Sequence, residues 1–138
     1  MKPVPVPDAV TEAYWTGAHR HELVVSACIP FGHLTFPPDV ACTTCGAREL
    51  EPRTVSGNGT VYTFTVVRQA FDPAFAEDVP YVIALVELDE QPGLRVLANL
   101  VGVDPEQIEV GEAVHVVFEP RDGAVIPQFA PVGTGEPS

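Results

Sequence analysis

The residues best suited to chemistry lie close together. Cys28, Cys42 and Cys45 are the three cysteines of the chain and fall within 18 positions. Cys42-Thr-Thr-Cys45-Gly46 is a complete metal-binding knuckle. A rubredoxin-like ribbon faces two such Cys-x-x-Cys turns across a tetrahedral zinc ion, which four soft donors satisfy. The facing turn here reads Cys28-Ile-Pro-Phe31-Gly32, so Phe31 stands where the fourth thiolate belongs. His33 follows Cys28 at a Cys-x4-His spacing that zinc accepts, and His19 and His21 lie just ahead. Two readings stand side by side. In one, zinc is held by Cys28, Cys42, Cys45 and His33. In the other the ribbon is metal-free, Phe31 fills the emptied centre with apolar packing, and the cysteines are small buried hydrophobes.

Other chemistries fit less well. A redox pair would put its first cysteine at a helix N-terminus after a strand, whereas Pro37-Pro38 precedes Cys42 and Gly46 follows Cys45. Ser56-Gly-Asn-Gly-Thr60 has no third glycine, following helix or lysine, so it reads as a turn into a strand rather than a phosphate cradle. No serine occupies a nucleophile elbow. His115 alternates outward on a strand and reads as a surface residue rather than a base.

Bulk properties narrow the partners. The formal charge is −12 with only seven Lys and Arg, and those seven are scattered singly. This weighs heavily against nucleic acid, which demands a cationic stripe against its phosphates. No run approaches the ~18 apolar residues of a membrane span. The Pro-rich start, Met1-Lys-Pro-Val-Pro-Val-Pro7, has no apolar signal core. The expected location is cytoplasmic, where clustered cysteines point to metal rather than to disulfides.

The elements that must position these residues follow from their patterns. Residues 1–22 read as an extended arm and a short helix, with Asp8 as cap, Ala9–Thr16 helical and Gly17 as its stop. Trp15 reads as an anchor pinning that helix to the body. Residues 23–54 read as the ribbon, with strands at Leu23–Ala27, Leu34–Phe36 and Glu49–Val55. Residues 55–132 carry five strands: 60–68, 81–88, 94–101, 112–119 and 125–129. The second, Tyr81-Val-Ile-Ala-Leu-Val-Glu-Leu88, is nearly all apolar and is expected to be buried on both faces. A helical turn at Asp104–Ile108 falls between the third and fourth strands. That order is the pattern of a five-stranded Greek-key OB-fold barrel. Residues 133–138 read as a tail.

These motifs in this order resemble one family: Trp15-x-Gly17, the broken ribbon, Ser56-Gly-x-Gly-Thr-Val61, Pro80-Tyr81, Val86-Glu-Leu-Asp-Glu90, Pro105-Glu106, Val110-Gly-x-x-Val114 and Ile126-Pro-x-Phe129. It is the family of OB-fold proteins with an N-terminal rubredoxin-like zinc ribbon, long catalogued as a domain of unknown function. The resemblance spans roughly residues 8–132. It implies a mainly β protein acting as a non-catalytic accessory subunit of a thiolase-like enzyme, associated with acyl-CoA. The alternatives are stand-alone binding of an acyl-CoA or lipid thioester and, disfavoured by the charge of −12, an OB-fold binder of single-stranded nucleic acid. Phe31 departs from the family pattern, which has cysteine there. For acyl-CoA contact the candidates are Arg68, Arg95 and Arg53. For docking on the partner they are Phe71 and Phe75, with Trp15 and the Val-Pro arm.

Overall fold

The computed structural model describes residues 8–68, 73–75 and 79–132. One helix, α1 (Glu12–His19), leads into a three-stranded antiparallel sheet made of β1 (Leu23–Cys28), β2 (Leu34–Thr35) and β3 (Leu50–Val55), in the order β2-β1-β3. The remaining strands are β4 (Asn58–Val67), β5 (Tyr81–Leu88), β6 (Arg95–Leu100), β7 (Ala113–Arg121) and β8 (Ala124–Pro131). They close into a barrel in the order β4-β5-β6-β8-β7. The β6–β8 pair is parallel and the other ladders are antiparallel. This is the OB-fold barrel, whose closure removes the open strand edges that invite wrong pairing.

The helix begins later than the cap suggests. Asp8 Oδ1 accepts from the backbone N–H of Val10 at 3.0 Å and of Thr11 at 2.9 Å, which holds a turn from which α1 starts at Glu12. Gly17 does not stop the helix; it is buried inside it. A Cβ at Gly17 would collide with Val24 Cγ2, so glycine lets α1 lie directly on β1. The stop is His21, in the left-handed region at φ 59°, with Glu22 N–H donating to Gly17 O at 2.9 Å.

One apolar core runs through both sheets. Leu23, Val25, Ala27 and Leu34 of the ribbon sheet join Val61, Val86, Val114 and Phe129 of the barrel. The turn between β5 and β6 fastens the two sheets. Gln91 accepts from Leu34 N–H and donates to Leu34 O, both at 2.8 Å, like a short added strand beside β2. Glu90 accepts from Ser56 N–H at 2.7 Å.

Three expectations need correction. β5 alternates: Val82, Ala84, Val86 and Leu88 are buried, and Tyr81, Ile83, Leu85 and Glu87 are half-exposed. An apolar composition does not reveal that a barrel's outer face is left open. Asp104–Ile108 is a hydrogen-bonded turn rather than a helix, with Gln107 N–H donating to Asp104 O at 2.9 Å and Asp104 Oδ1 accepting from Glu106 N–H. His115 is 8% exposed rather than a surface residue. Its partner in the ladder, Ala130 on β8, is also buried, and α1 packs against β8. Alternation marks His115 as outward correctly, but that outward face is covered.

Candidate metal centre, docking residues and family

The two knuckles are made by backbone turns. Cys28 N–H donates to His33 O at 2.9 Å and Gly32 N–H to Cys28 O at 2.7 Å, closing the first turn. Cys42 N–H donates to Ala47 O and Gly46 N–H to Cys42 O, both at 2.8 Å, closing the second. Gly32 and Gly46 have φ of 73° and 77°, which glycine adopts without strain. These turns bring one donor atom each from Cys28, His33, Cys42 and Cys45 within 4.8 Å of one another. Cys45 Sγ is 3.9 Å from Cys28 Sγ.

The donor set fits a tetrahedral metal. His33 Nδ1 is buried and without a hydrogen-bond partner, a cost that a coordinated ion removes. Cys28 and Cys42 are buried and Cys45 is exposed. Backbone hydrogen bonding at Cys45, joined by Thr44 N–H, lowers the Cys42 thiol to about 6, into the range where thiolate prevails. At Cys45, hydrogen bonding with Ala47 acts downward but desolvation and the neighbouring Cys42 and Cys28 outweigh it, so that thiol is raised. Loading the centre with one anion makes the next costlier, which is the condition a cation relieves.

Phe31 does not fill the centre. It is 70% exposed, and its ring stacks on His33 with centroids 5.6 Å apart and planes at 26°. The apolar-plug reading is therefore overturned: the first turn points position 31 outward and position 33 inward.

The proposed thioester-contact arginines do not converge. Arg53 lies on β3 and pairs with Glu51 at 3.3 Å. Arg68 follows β4 and pairs with Glu106. Arg95 on β6 pairs with Glu87 at 3.1 Å and stacks over Tyr62 at 3.8 Å. Tyr81, beside the end of β4, and Glu87, beside Arg95, are six residues apart along β5, so Arg68 and Arg95 are separated by about 20 Å. Trp15 is half-buried and meets Tyr14 edge-on at 4.6 Å, while Tyr14 packs on Phe36 at 5.3 Å. Burial pushes the Tyr14 hydroxyl up to about 12. Phe71, the Val-Pro arm and the tail lie outside the described residues. Of Phe75 only the backbone is described, in a 3-10 turn at Pro73–Phe75.

Sequence reasoning did not single out a cleft of about 300 Å³ beside the β6–β8 seam. Tyr81, Val101 and Val103 contribute apolar walls; Glu119, Arg121 and Gln128 contribute polar ones. Arg121 Nε and Nη2 both donate to Glu119 Oε2, at 3.1 and 2.8 Å. Gln128 is 4% exposed. Its position on a mainly apolar strand is the one signal the sequence carries.

A broken rubredoxin-like ribbon fused to a closed OB barrel defines the class of protein. Residues 52–119 match the family model described as ChsH2, C-terminal OB-fold domain. Over 125 residues the chain is 35% identical to a DUF35 domain-containing scaffold protein of Methanothermobacter thermautotrophicus, covering 84% of this chain and 92% of that one. It is 33% identical over 139 residues to a probable enoyl-CoA hydratase alpha subunit of Thermomonospora curvata, with all of this chain but 42% of that protein covered. The chain thus spans less than half the length of that relative. Among solved structures, a chain of the Ltp2-ChsH2(DUF35) aldolase superposes with a TM-score of 0.82 at 33% identity, covering 93% of this chain and 98% of that one. The chain belongs to the DUF35 family.

Proposed function

We propose that this chain is a non-catalytic accessory subunit that docks on a thiolase-superfamily enzyme of the lipid-transfer-protein-like kind. It helps to frame the path of an acyl-CoA substrate, in steroid or fatty-acyl side-chain degradation in the cytoplasm. The observation that carries this reading is the likeness, nearly end to end, to the DUF35 chain of the Ltp2-ChsH2 aldolase. Relatives named as scaffold proteins agree with it. The hydratase name belongs to a protein more than twice as long, so that activity is not assigned to this chain. In this reading the Cys and His groups of this chain, Cys28, His33, Cys42 and Cys45, serve the metal centre, and the groups that run thioester chemistry belong to the partner. No helix among the described residues is long and apolar enough to cross a membrane.

Within this reading the ribbon is a docking scaffold held by zinc on Cys28, His33, Cys42 and Cys45. Phe71, Phe75 and Trp15 are the docking aromatics, and Arg53, Arg68 and Arg95 are the candidates for CoA phosphates, shared with the partner. The test is co-purification: a tagged chain retrieves a thiolase-fold protein at one-to-one stoichiometry, and the isolated chain turns over no acyl-CoA. Recovery of a soluble, fully active thiolase that never needed this chain would sink the proposal. The second reading, a stand-alone acyl-CoA binder, draws on the cleft beside the β6–β8 seam. Micromolar heat of binding by the lone chain would favour it.

A further inference from the structure

We propose that β2 is the positioning element of the metal centre, with Gln91 holding His33 in place and Thr35 holding the knuckle of Cys42 and Cys45. Zinc as the ion is taken from the reading above; the hydrogen bonds that assign the two roles are this chain's own.

β2 is only two residues long, yet both are buried, Leu34 at 7% and Thr35 at 2% exposed. So short a strand gains little from its ladder with β1, where Leu34 faces Ala27 and Thr35 faces Ser26. β2 lies at the edge of its sheet, and the barrel fixes it from the other side. Gln91, in the turn after β5, accepts from Leu34 N–H and donates to Leu34 O, both at 2.8 Å. Leu34 adjoins His33, whose own N–H donates to Cys28 Sγ at 3.2 Å. Pinned through these consecutive amides, residue 33 keeps its buried Nδ1 among the thiols. The barrel thus sets where the histidine donor stands.

Thr35 does the same for the second knuckle. Its hydroxyl accepts from Thr43 N–H at 3.3 Å and lies 3.4 Å from the Thr43 hydroxyl. Thr43 belongs to the Cys42-Thr-Thr-Cys45 turn, so one side chain of β2 holds the loop that carries two of the four donors. Backbone hydrogen bonding at Cys45 has the largest effect on the Cys42 sulfur, and a hydrogen bond with Thr35 adds to it. A hydroxyl as buried as this one must find its partners in the protein, and those named here all lie on the metal-binding loop. Groups that hydrogen-bond to metal ligands or fix their direction matter nearly as much as the ligands, and losing one typically weakens the metal about 10- to 100-fold.

The test is zinc affinity of the full chain, measured by competition with a chelator, with the absorption of bound cobalt as a second readout. Thr35→Val removes the hydroxyl and keeps the shape; it should weaken zinc about tenfold, and Thr35→Ser should restore most of the loss. Gln91→Leu should also weaken zinc about tenfold. Gln91→Glu keeps the acceptor for Leu34 N–H but loses the donor, so it should fall between, and it stands in if the leucine variant misfolds. Cobalt bands should shift in Thr35→Val and Gln91→Leu, because the donors no longer sit as they did. A merely structural role would instead lower the unfolding midpoint of the metal-free chain and leave zinc affinity and the cobalt bands alone. Unchanged zinc affinity in Thr35→Val or in Gln91→Leu would overturn the role of that residue, and failure of serine to rescue would overturn the hydroxyl's part. These results refute the positioning roles while the unaltered chain still takes up zinc. An unaltered chain that binds no zinc would overturn the zinc reading and these roles with it.

Discussion

In the barrel, Phe129, Val61, Val86 and Val114 are all but removed from water, and each strand pairs with a neighbour on both sides. At the far end of the ribbon, β2 contributes two residues, and Ile29, Phe31 and Val40 stand largely in solvent. Strand-forming residues build both regions, but the barrel is held by apolar burial and a closed ladder. The ribbon tip has two backbone turns and a cluster of four donors. Apolar burial scales with the area removed from water, and a tip only a few residues across has little to remove. A metal ion held by those donors would supply in one place what a core spreads over many side chains. The ribbon sheet is intermediate: Leu23, Val25 and Leu34 reach into the shared core, and Gln91 ties β2 to the barrel. Only the tip is left to the donors.

The largest effect should come from breaking the barrel. Phe129 is fully buried at the β6–β8 seam, where Leu100 is its ladder partner and Val101 N–H donates to its carbonyl at 2.8 Å. Phe129→Ala should cost about 3–5 kcal/mol, as large-to-small changes in packed cores do. Chemical denaturation would read this as a lower midpoint of one cooperative transition. A loss below about 1 kcal/mol would mean that the barrel is not held as described.

Much of this barrel was legible because its inner face is plainly written. Val82, Ala84, Val86 and Leu88 alternate with residues that face outward, and Val114 and Phe129 fall on the interior as their strands' patterns require. What the sequence did not carry was what covers an outer face. His115 alternates outward like any surface residue, yet it is buried, and α1 packs on β8, the strand beside it. Gln128 and Arg121 stand within a few residues of ordinary strand ends, and their meeting in a cleft depends on how β8 leaves β6. The gathering of the three cysteines was legible from spacing, since backbone turns of fixed geometry bring Cys28, Cys42 and Cys45 together. Whether position 31 or 33 faces inward depends on the turn, which spacing does not decide.

An effect confined to the tip should follow from removing one donor. His33→Ala leaves three thiolates and should weaken zinc on the order of a hundredfold. That is roughly one ligand's share of the ~10–16 kcal/mol a structural zinc contributes. Competition with a chromophoric chelator would measure it. Hydrogen exchange should show lost protection over residues 28–46 with the barrel amides unchanged. If the barrel loosened in step with the tip, the division between a burial-held and a donor-held region would fail. Unchanged zinc affinity would remove His33 from the donor set.

The smallest effect sharpens the same comparison. Phe31 is 70% exposed and touches the centre only through the stacked His33 ring. A solvent-facing ring buries little, so Phe31→Ser should move global stability by no more than about 0.5 kcal/mol. The four-thiolate pattern offers a sharper form of the experiment. Phe31→Cys combined with His33→Ala moves the donor back two positions, to where the unbroken knuckle would hold it. If the first turn is a generic knuckle, this double variant should regain the zinc affinity that His33→Ala alone loses, and cobalt loaded in its place should show the stronger sulfur-to-metal absorption of a fourth thiolate. If the turn has been reshaped around His33, the new thiol should point outward as Phe31 does, and affinity should stay at the single-variant level. Either result is read against an unchanged barrel, because nothing at position 31 reaches the core that holds it.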